Sequence, residues 1–456
     1  MKNVALRLAG TVVTLGLVLT YAAAARPADE PTPTAVDRTA ALDELERWLD
    51  NEQSFSGATR SEAERLLREY RDTAHAMSEP AFYMAVRRLV ALAENGHSNV
   101  STGTIYSRFG LVPLRTYWFS DGLFIVRAHR LHRDLIGLQI RAINGHDIET
   151  VERRLMDFHG GSREMFRRYA ALPLFLSPAV LHAAGLGERE DVLTLTLSTP
   201  YGGARNVEVK LDAALGGTRT GTPFRLLLSD QLPGEDDWLV ATPGSGRTPL
   251  RLRDPQQRFR HVDLDDVAYI QFRANIAPRR GLEDFAERTQ ERLERSRPSA
   301  IIFDNRDNGG GDLTRAAAFA LALPDLVAPG GKVYVLTDHA TFSAGIYSSF
   351  FPESAAPDRT LIVGALVGDF TRFWAESNQR FQLPGTDISI GSALQLHDIG
   401  VGCPDSSVCH MTRYPAAWNI AIGSLEPEIP IGTTFADFSA GRDPVLAWAL
   451  EDAASR

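Results

Sequence analysis

Two short segments in the C-terminal half of the chain carry residues whose types and order could perform acyl transfer. The first, Ile301–Asp312, reads as a buried apolar strand that ends in a polar turn with three consecutive glycines. The second, Val333–Gly345, reads as another apolar strand followed by a turn in which Ser343 opens a helix. Glycines leave backbone N–H groups open to a ligand, and a serine at a strand-to-helix corner presents its hydroxyl. Together they predict a nucleophile beside an oxyanion hole.

The pattern around these turns predicts the elements that must position them. From Val262 onward, short apolar runs alternate with segments of helical periodicity, which predicts a βαβ arrangement and an α/β core. The predicted strands are Val267–Phe272, Ala300–Phe303, Lys332–Leu336 and Thr360–Val363, and the predicted helices are Gly281–Arg295, Leu313–Leu321 and Ser343–Phe350.

Upstream of this core the character of the sequence changes twice. Apolar residues at helical spacing over Ala40–Glu94 predict a small helical domain. Beyond it, alternating apolar and polar residues and turn signals predict short strands. This second region comprises a strand at Gly122–Arg127, an Asn144-Gly145 turn, a helical insertion at Phe158–Gly187, a hairpin of Asp191–Ser198 with Asn206–Leu211, and an irregular connection over Gly216–Pro255.

The two turns resemble the catalytic core of the tail-specific, or C-terminal processing, serine proteases. The glycine signature of that family is matched by Asp304, Arg306, Asn308, Gly310 and Gly311, and its nucleophile segment by Thr341, Ser343 and Ala344. Further agreement lies in Asp266–Phe272, Phe381–Gly385, Pro427–Ile429 and Gly441–Leu446. The resemblance covers residues 262–450 well and the upstream part loosely.

The resemblance implies an α/β fold with a crotonase-like catalytic domain, a PDZ-like β-rich domain and a helical N-terminal domain. A linker domain without a peptide groove is the alternative to the PDZ-like reading. The expected boundaries are a signal peptide at 1–25, a disordered stretch at 26–36, the helical domain at 37–98, the PDZ-like domain with its helical insertion at 99–212, a linker at 213–260 and the catalytic domain at 261–456.

The base that would activate Ser343 is not a lysine in this sequence. Many relatives use a Ser–Lys dyad, but no lysine follows Ser343, and Lys332 begins the preceding strand, far from the serine. The histidine-dependent, tricorn-core-like branch has a Gly-His-Ser segment after its helical domain, which Gly96-His97-Ser98 matches. The resemblance therefore implies His97 as general base. A loop histidine at a domain junction is the alternative, and His339 is a rival base that we expect to face solvent.

The remaining site residues are less well defined by the sequence. The resemblance implies an oxyanion hole formed by the Gly310 and Ala344 N–H groups, although the sequence does not separate Gly310 from its neighbouring glycines. Asp304 and Arg306 are expected to hold the turn, and a helix N-cap is the alternative role of Ser343. Where the relatives have an orienting glutamate, this chain has Ala421. The acids that stay open for that role are Asp369, Asp398, Glu426 and Glu428.

Bulk properties limit the partners. A formal net charge of −9 and the lack of a polybasic run argue against nucleic acid and against a membrane surface as partners. Lys2 and Arg7, followed by the apolar run Leu8–Thr20 and the small residues to Ala25, predict a secretory signal cleaved before Arg26. An uncleaved membrane anchor is the alternative. After cleavage of the signal peptide, no stable membrane insertion is expected.

Cys403 and Cys409 lie six residues apart in a polar loop, and in an exported protein this spacing favours a local disulfide. Two cysteines without a matching second pair argue against a zinc site.

The sequence thus predicts an exported serine endopeptidase that acts on polypeptides, with no metal or organic cofactor implied. Two other functions stay open. One is a non-catalytic relative that binds a peptide or apolar ligand in the same cleft. The other is an esterase-like hydrolase that uses the same serine.

Overall fold

A computed structural model describes residues 36–455, apart from residues 199–201, 213–214, 216–222, 231, 236, 244–246, 279 and 378. The predicted signal peptide and the stretch predicted to be disordered lie outside the described residues, except for Val36, at which the first helix begins. Within the described part, no helix is both long and apolar enough to cross a membrane.

The α-helices are, in chain order, α1 (Val36–Asn51), α2 (Gly57–Thr73), α3 (Glu79–Ala91), α4 (Ile148–Met156), α5 (Arg163–Met165), α6 (Ala171–Phe175), α7 (Pro178–Ala183), α8 (Gly281–Ser296), α9 (Ala317–Ala322), α10 (Ala344–Ala355), α11 (Phe435–Ser439) and α12 (Pro444–Ala454). Helices α1 to α3 occupy the region predicted to be helical, and α5 to α7 lie in the predicted helical insertion.

The strands are, in chain order, β1 (Leu114–Phe119), β2 (Gly122–His129), β3 (Ile140–Ile143), β4 (His146–Asp147), β5 (Val192–Ser198), β6 (Ala204–Lys210), β7 (Trp238–Val240), β8 (Phe259–Leu264), β9 (Val267–Phe272), β10 (Ala300–Asp304), β11 (Lys332–Thr337), β12 (Thr360–Gly364), β13 (Arg372–Ala375), β14 (Arg380–Gln382), β15 (Ser389–Gly391), β16 (Gln395–Asp398) and β17 (Ile429–Pro430).

The C-terminal half is built on a six-stranded sheet in the order β17-β12-β11-β10-β9-β8. All neighbours in it run parallel except β8, which is antiparallel to β9. Every residue of β10 is buried, because helices α8 to α10 contribute to the core on one face and α12 to the core on the other. The predicted α/β core is therefore present, and β9 has the predicted bounds.

A large hydrophobic core in the N-terminal half includes residues of α1 to α3 and of an antiparallel sheet in the order β4-β3-β5-β6. Trp48 of α1 is fully buried there, and its indole N–H donates to the Gly391 carbonyl at 2.8 Å. This core thereby reaches β15, which lies late in the sequence.

One part of the predicted linker is ordered as a strand. β7 lies within the segment expected to be irregular, and it pairs antiparallel with β2. Three residues are too few to show a periodic pattern in the sequence. β7 is instead held by its pairing with β2 and by the buried Trp238, over whose ring the Arg115 guanidinium lies at 4.5 Å.

Buried Arg306 connects the central sheet to the last helix. Its guanidinium donates to both carboxylate oxygens of Asp304, at 2.9 and 2.6 Å, and to Asp443, at 2.8 and 2.9 Å. Tyr269 adds a hydrogen bond to Asp304 at 2.7 Å, and Asp443 caps the N-terminus of α12 by accepting from the Leu446 N–H. Asp304 and Arg306 thus hold the turn, as predicted.

We expect Arg306→Ala to lower the free energy of unfolding by about 3–5 kcal/mol, because it leaves two buried carboxylates without their cation. The matched control is Arg442→Ala, which breaks the exposed pair with Asp437 (2.8 Å) and should cost no more than about 1 kcal/mol. Urea denaturation of both variants measures the difference, and equal losses would contradict the role given to Arg306.

Candidate active site

Ser343 lies in the turn between β11 and α10 and has a strained backbone. Its φ of 55° and ψ of −128° place a non-glycine residue in the left-handed half of conformational space. Ser343 occupies the N-cap position of α10, but its side chain makes no capping hydrogen bond, so the hydroxyl is not used to hold the helix. A strained serine at a strand-to-helix corner is the arrangement that presents a nucleophilic hydroxyl.

The glycine turn after β10 packs directly against this serine. Gly310 has a φ of 97°, and a Cβ placed on it would lie 2.8 Å from the Ser343 Cβ and 3.1 Å from the Ala344 nitrogen. Only glycine allows this approach. The Gly310 N–H, one of the two predicted oxyanion donors, already donates to the Asn308 side-chain oxygen at 3.0 Å. A ligand oxygen would have to share that N–H with Asn308.

Asn308 joins the two turns. Its carbonyl accepts from the Phe342 N–H at 2.9 Å, and its amide nitrogen donates to Asn275 at 3.0 Å and to Asn305 at 2.9 Å. A Cβ at Gly345 would lie 2.4 Å from the Asn308 carbonyl oxygen, so the start of α10 also rests on this residue. The serine and the glycine turn are therefore fixed relative to each other.

His97 lies in the segment after α3, and the side chain of Asn95 ties that segment to β13. The Asn95 amide donates to the Trp374 carbonyl at 3.0 Å and accepts from the Trp374 N–H at 3.1 Å. This pair of hydrogen bonds resembles one step of a β-sheet ladder, and it brings His97 to the C-terminal half of the chain although the two are far apart in sequence.

The His97 ring is stacked between two aromatic rings. The ring centroid of Phe342, the residue before Ser343, is 4.5 Å away, and that of Phe373 is 5.3 Å away. Neither ring nitrogen has a hydrogen-bond partner within the described part of the chain, so His97 and Ser343 are not hydrogen-bonded in this structure. The fold places His97 beside the serine turn, with its nitrogens free.

Asp369 is the acid that lies next to His97. Its side chain is fully buried, and its Oδ2 is 3.6 Å from His97 Nδ1, just beyond hydrogen-bond distance, while Oδ1 accepts from the Phe370 N–H. Burial raises the pKa of Asp369 to about 8. Burial, helped by the neighbouring His397, lowers the pKa of His97 to about 3. Both groups are therefore neutral near pH 7 in this arrangement.

The other predicted candidates are engaged elsewhere. Asp398 accepts from the Val401 N–H, Glu428 accepts from the Ile362 N–H at 2.8 Å, and Glu426 is exposed. His339 is half-buried, with Nδ1 3.1 Å from the Leu366 carbonyl oxygen, so the expectation that it faces solvent is wrong. The segment around Leu366 folds back over the serine turn and covers this ring.

A cleft of about 930 Å³ opens beside the two turns and is lined by Gly309, Gly310 and Phe342, among others. Ser343 and His97 are not among the described residues that line it. The helical insertion contributes Tyr169, whose hydroxyl donates to the Ala340 carbonyl at 2.9 Å.

Two arginines at the cleft and its margin were missed by the sequence analysis. Arg168 of the helical insertion and the buried Arg251 both pair with Asp307 of the glycine signature. Burial and the nearby Asp338 raise the pKa of Asp307, and the two arginines oppose that shift. No sequence signal distinguishes Arg168 from the other arginines of its helical segment, so only the fold reveals this pairing.

Comparison with known proteins identifies a solved structure with a similar fold. No protein-family model matches the chain, and no curated protein matches its sequence. The structure of mature CPAF complexed with lactacystin is similar, with a TM-score of 0.51 and 16% identity over 92% of this chain and 98% of that chain.

Two further structures score below 0.5, and we draw nothing from them. They are another mature CPAF structure (TM-score 0.49, 15% identity, 91% and 96% of the two chains) and the photosystem II D1 C-terminal processing protease (0.38, 11%, 89% and 98%).

The similarity to mature CPAF spans nearly the whole of both chains. It shows that this chain shares the fold of mature CPAF. The histidine-dependent branch stays a prediction.

The raised pKa of Asp369 predicts that the free energy of unfolding depends on pH. Because the folded chain keeps this carboxyl protonated up to about pH 8 while the unfolded chain ionises it near pH 4, the carboxyl's contribution is complete below pH 4 and is lost as the pH rises toward 8. At about 1.4 kcal/mol for each tenfold change in proton affinity, the loss amounts to a few kcal/mol.

Asp369→Asn should remove this pH dependence. The free energy of unfolding of the native protein should therefore fall relative to that of the variant between pH 4.5 and 7.5. Urea denaturation at several pH values measures it, with Asp387→Asn, whose exposed side chain accepts from Ser107, as a control that should track the native protein. A native protein that gains stability over the variant as the pH rises would show that Asp369 is ionised in the fold.

Proposed function

We propose that the protein is an exported serine endopeptidase that cleaves polypeptides through an acyl-enzyme. Ser343 is the nucleophile, His97 the general base, and the N–H groups of Ala344 and Gly310 form the oxyanion hole. The observation that carries this proposal is the strained Ser343 backbone at the start of α10, with Gly310 packed against it and no capping bond on the side chain.

Each group has one task in the proposed reaction. The Ser343 hydroxyl attacks the peptide carbonyl carbon while His97 takes its proton, and the carbonyl oxygen becomes an oxyanion that the backbone N–H groups stabilise. His97 then gives the proton to the departing amine, which leaves an ester on Ser343. Water, deprotonated by His97, hydrolyses that ester and regenerates the serine.

Asp369 is the acid that we propose for orienting His97. Its Oδ2 faces Nδ1, which leaves Nε2 as the nitrogen for Ser343. This is the division of roles in a Ser-His-Asp triad, in which the carboxylate fixes the tautomer and stabilises the imidazolium. The 3.6 Å separation means that the ring must shift toward Asp369, and toward Ser343, before the proton can pass.

The cleft supports a polypeptide as the substrate. It is large enough for several residues of an extended chain, and its lining combines apolar rings with arginine and amide groups. We propose that the α/β half (261–456) is a crotonase-like catalytic domain. Residues 99–212 form a PDZ-like module, which the four-stranded sheet and α4 support. A strand edge of that sheet would add a substrate segment.

The proposal of export rests on the N-terminal residues 1–25 and gains support from the Cys403–Cys409 disulfide, which is present in the structure as predicted. Disulfides persist in oxidising compartments and are rare in the cytosol. The disulfide therefore supports the proposed export, while the serine turn supports the proposed peptidase activity.

A non-catalytic ligand-binding protein is the second candidate. Two observations favour it. His97 makes no hydrogen bond to Ser343, through which a general base would take the serine proton. Asp369 is neutral, so it carries no negative charge that would stabilise an imidazolium. The strained serine opposes it, since a binding protein gains nothing from a backbone that costs about 1–3 kcal/mol to hold.

Labelling with a fluorophosphonate serine probe separates these candidates. We expect the folded protein to be labelled, and labelling to disappear in Ser343→Ala and fall at least a hundredfold in His97→Ala, because the base supplies that much of the reactivity. Asp369→Asn should be slower than the native protein but faster than His97→Ala.

His339→Ala is the matched control, because it removes a half-buried histidine near the same serine and should leave labelling intact. Circular dichroism confirms that each variant is folded. Absence of labelling in folded native protein would favour the binding protein, and loss of labelling in His339→Ala but not in His97→Ala would assign the base to His339.

A further inference from the structure

A second group of titratable side chains lies outside the candidate active site. Glu376 follows β13, His397 lies in β16, and His410 begins a short helix after the disulfide loop. β13 and β16 pair antiparallel, and the disulfide loop is bonded to β16 through the Leu396 N–H, which donates to the Val408 carbonyl. We call these three side chains the histidine–glutamate cluster.

The ligand atoms of the cluster converge at distances that suit a metal ion better than hydrogen bonds. Glu376 Oε1 is 3.5 Å from His397 Nε2 and 3.9 Å from His410 Nε2, and one potential ligand atom from each residue lies within 4.8 Å of the other two. Hydrogen bonds between such atoms are shorter, at about 2.7–3.2 Å. Ligands held at about 2.0–2.1 Å around a tetrahedral zinc ion lie roughly 3.3 Å apart.

Outer hydrogen bonds at Nδ1 orient both histidine rings so that Nε2 of each lies on the side of the glutamate. His410 Nδ1 is 2.7 Å from the Gln395 side-chain oxygen, which only accepts, so Nδ1 carries the proton and Nε2 keeps its lone pair. His397 Nδ1 is 2.9 Å from the Tyr347 hydroxyl. Its Nε2 is buried and has no hydrogen-bond partner in the described structure. Metal-ligating histidines have this second bond almost without exception.

We propose that the histidine–glutamate cluster binds a divalent transition cation, with Zn²⁺ the best match. Two imidazoles and one carboxylate favour zinc over the oxygen-seeking Mg²⁺ and Ca²⁺. His397 is almost completely buried, whereas the Glu376 side chain is 41% exposed, so solvent or an external ligand has access to the fourth position. The cysteines are not ligands, but their disulfide holds the loop that carries His410.

The cluster is distinct from the proposed peptidase site. The ring of Phe373 lies between His97 and His397, with centroids 5.3 and 4.9 Å away and both planes nearly parallel to it. A cation in the cluster would therefore be separated from His97 by an aromatic ring and would not contact the groups proposed for the acyl transfer.

Zn²⁺ titration calorimetry on the purified protein tests the proposal, with Mg²⁺ as the hard-cation comparison. Ser343→Ala serves as the background, so that self-cleavage cannot disturb the measurement whether or not the protein is a peptidase. We expect one Zn²⁺ per chain, a melting temperature that rises with Zn²⁺ concentration, and no response to Mg²⁺.

Two ligand variants and one control test whether Zn²⁺ binds at the histidine–glutamate cluster. Glu376→Gln and His410→Gln should each weaken Zn²⁺ binding at least tenfold, and Glu376→Gln removes a part-exposed ligand without opening the core. The control is His182→Ala, which breaks an exposed pair of the same kind, with Nε2 3.7 Å from Glu190, and should leave binding unchanged.

Three outcomes would overturn the proposal. They are no stoichiometric Zn²⁺ uptake by the folded protein, uptake that survives both ligand variants, and uptake that falls equally in His182→Ala. The last outcome would identify the binding as surface adsorption to histidines.

Discussion

The position of Asn308 is the constraint on which the rest of the candidate site depends. Two strand ends of a parallel sheet lie side by side as a matter of topology, but nothing in that topology brings their turns into contact. Asn308 does so, because its backbone carbonyl accepts from the serine turn while its side chain bonds the glycine turn and Asn275. The strain at Ser343 is tolerable only against such a fixed neighbour. Gly345 is required for the same reason, since a Cβ there would collide with the Asn308 carbonyl.

Much of the C-terminal half could be predicted because its sequence signals were local. Strands β9 to β12 are mostly apolar, as expected for strands covered on both faces, and the glycine turn and Ser343 follow shortly after the ends of β10 and β11. Where a segment depends on distant contacts, the prediction failed. β7 was read as irregular because its order comes from pairing with β2, and His339 was placed in solvent because the segment at Leu366 that covers it lies beyond the next strand.

The charged groups of the site were the least predictable, because their selection depends on three-dimensional proximity alone. Four acids remained open as partners of His97, and only the fold distinguishes Asp369 from Asp398 and the rest. Likewise, the side chains of Glu376, His397 and His410 come from the residue after a strand, from a second strand and from a short helix that follows the disulfide loop. Spacing along the sequence carries no trace of such a cluster, whereas the usual zinc motifs place their ligands a few residues apart.

The neutral His97 and Asp369 pair decides how the proposed base could work. Burial opposes the charge on each group separately, which lowers the histidine's pKa and raises the aspartic acid's. Opposite charges at hydrogen-bond distance in the same desolvated site stabilise each other, so the imidazolium and the carboxylate would form together or not at all. A ring shift that closes the 3.6 Å gap would therefore change two proton affinities at once. On this view the stacking of His97 on Phe342 does more than fill space, because the residue that restrains the proposed base is the one that precedes the proposed nucleophile.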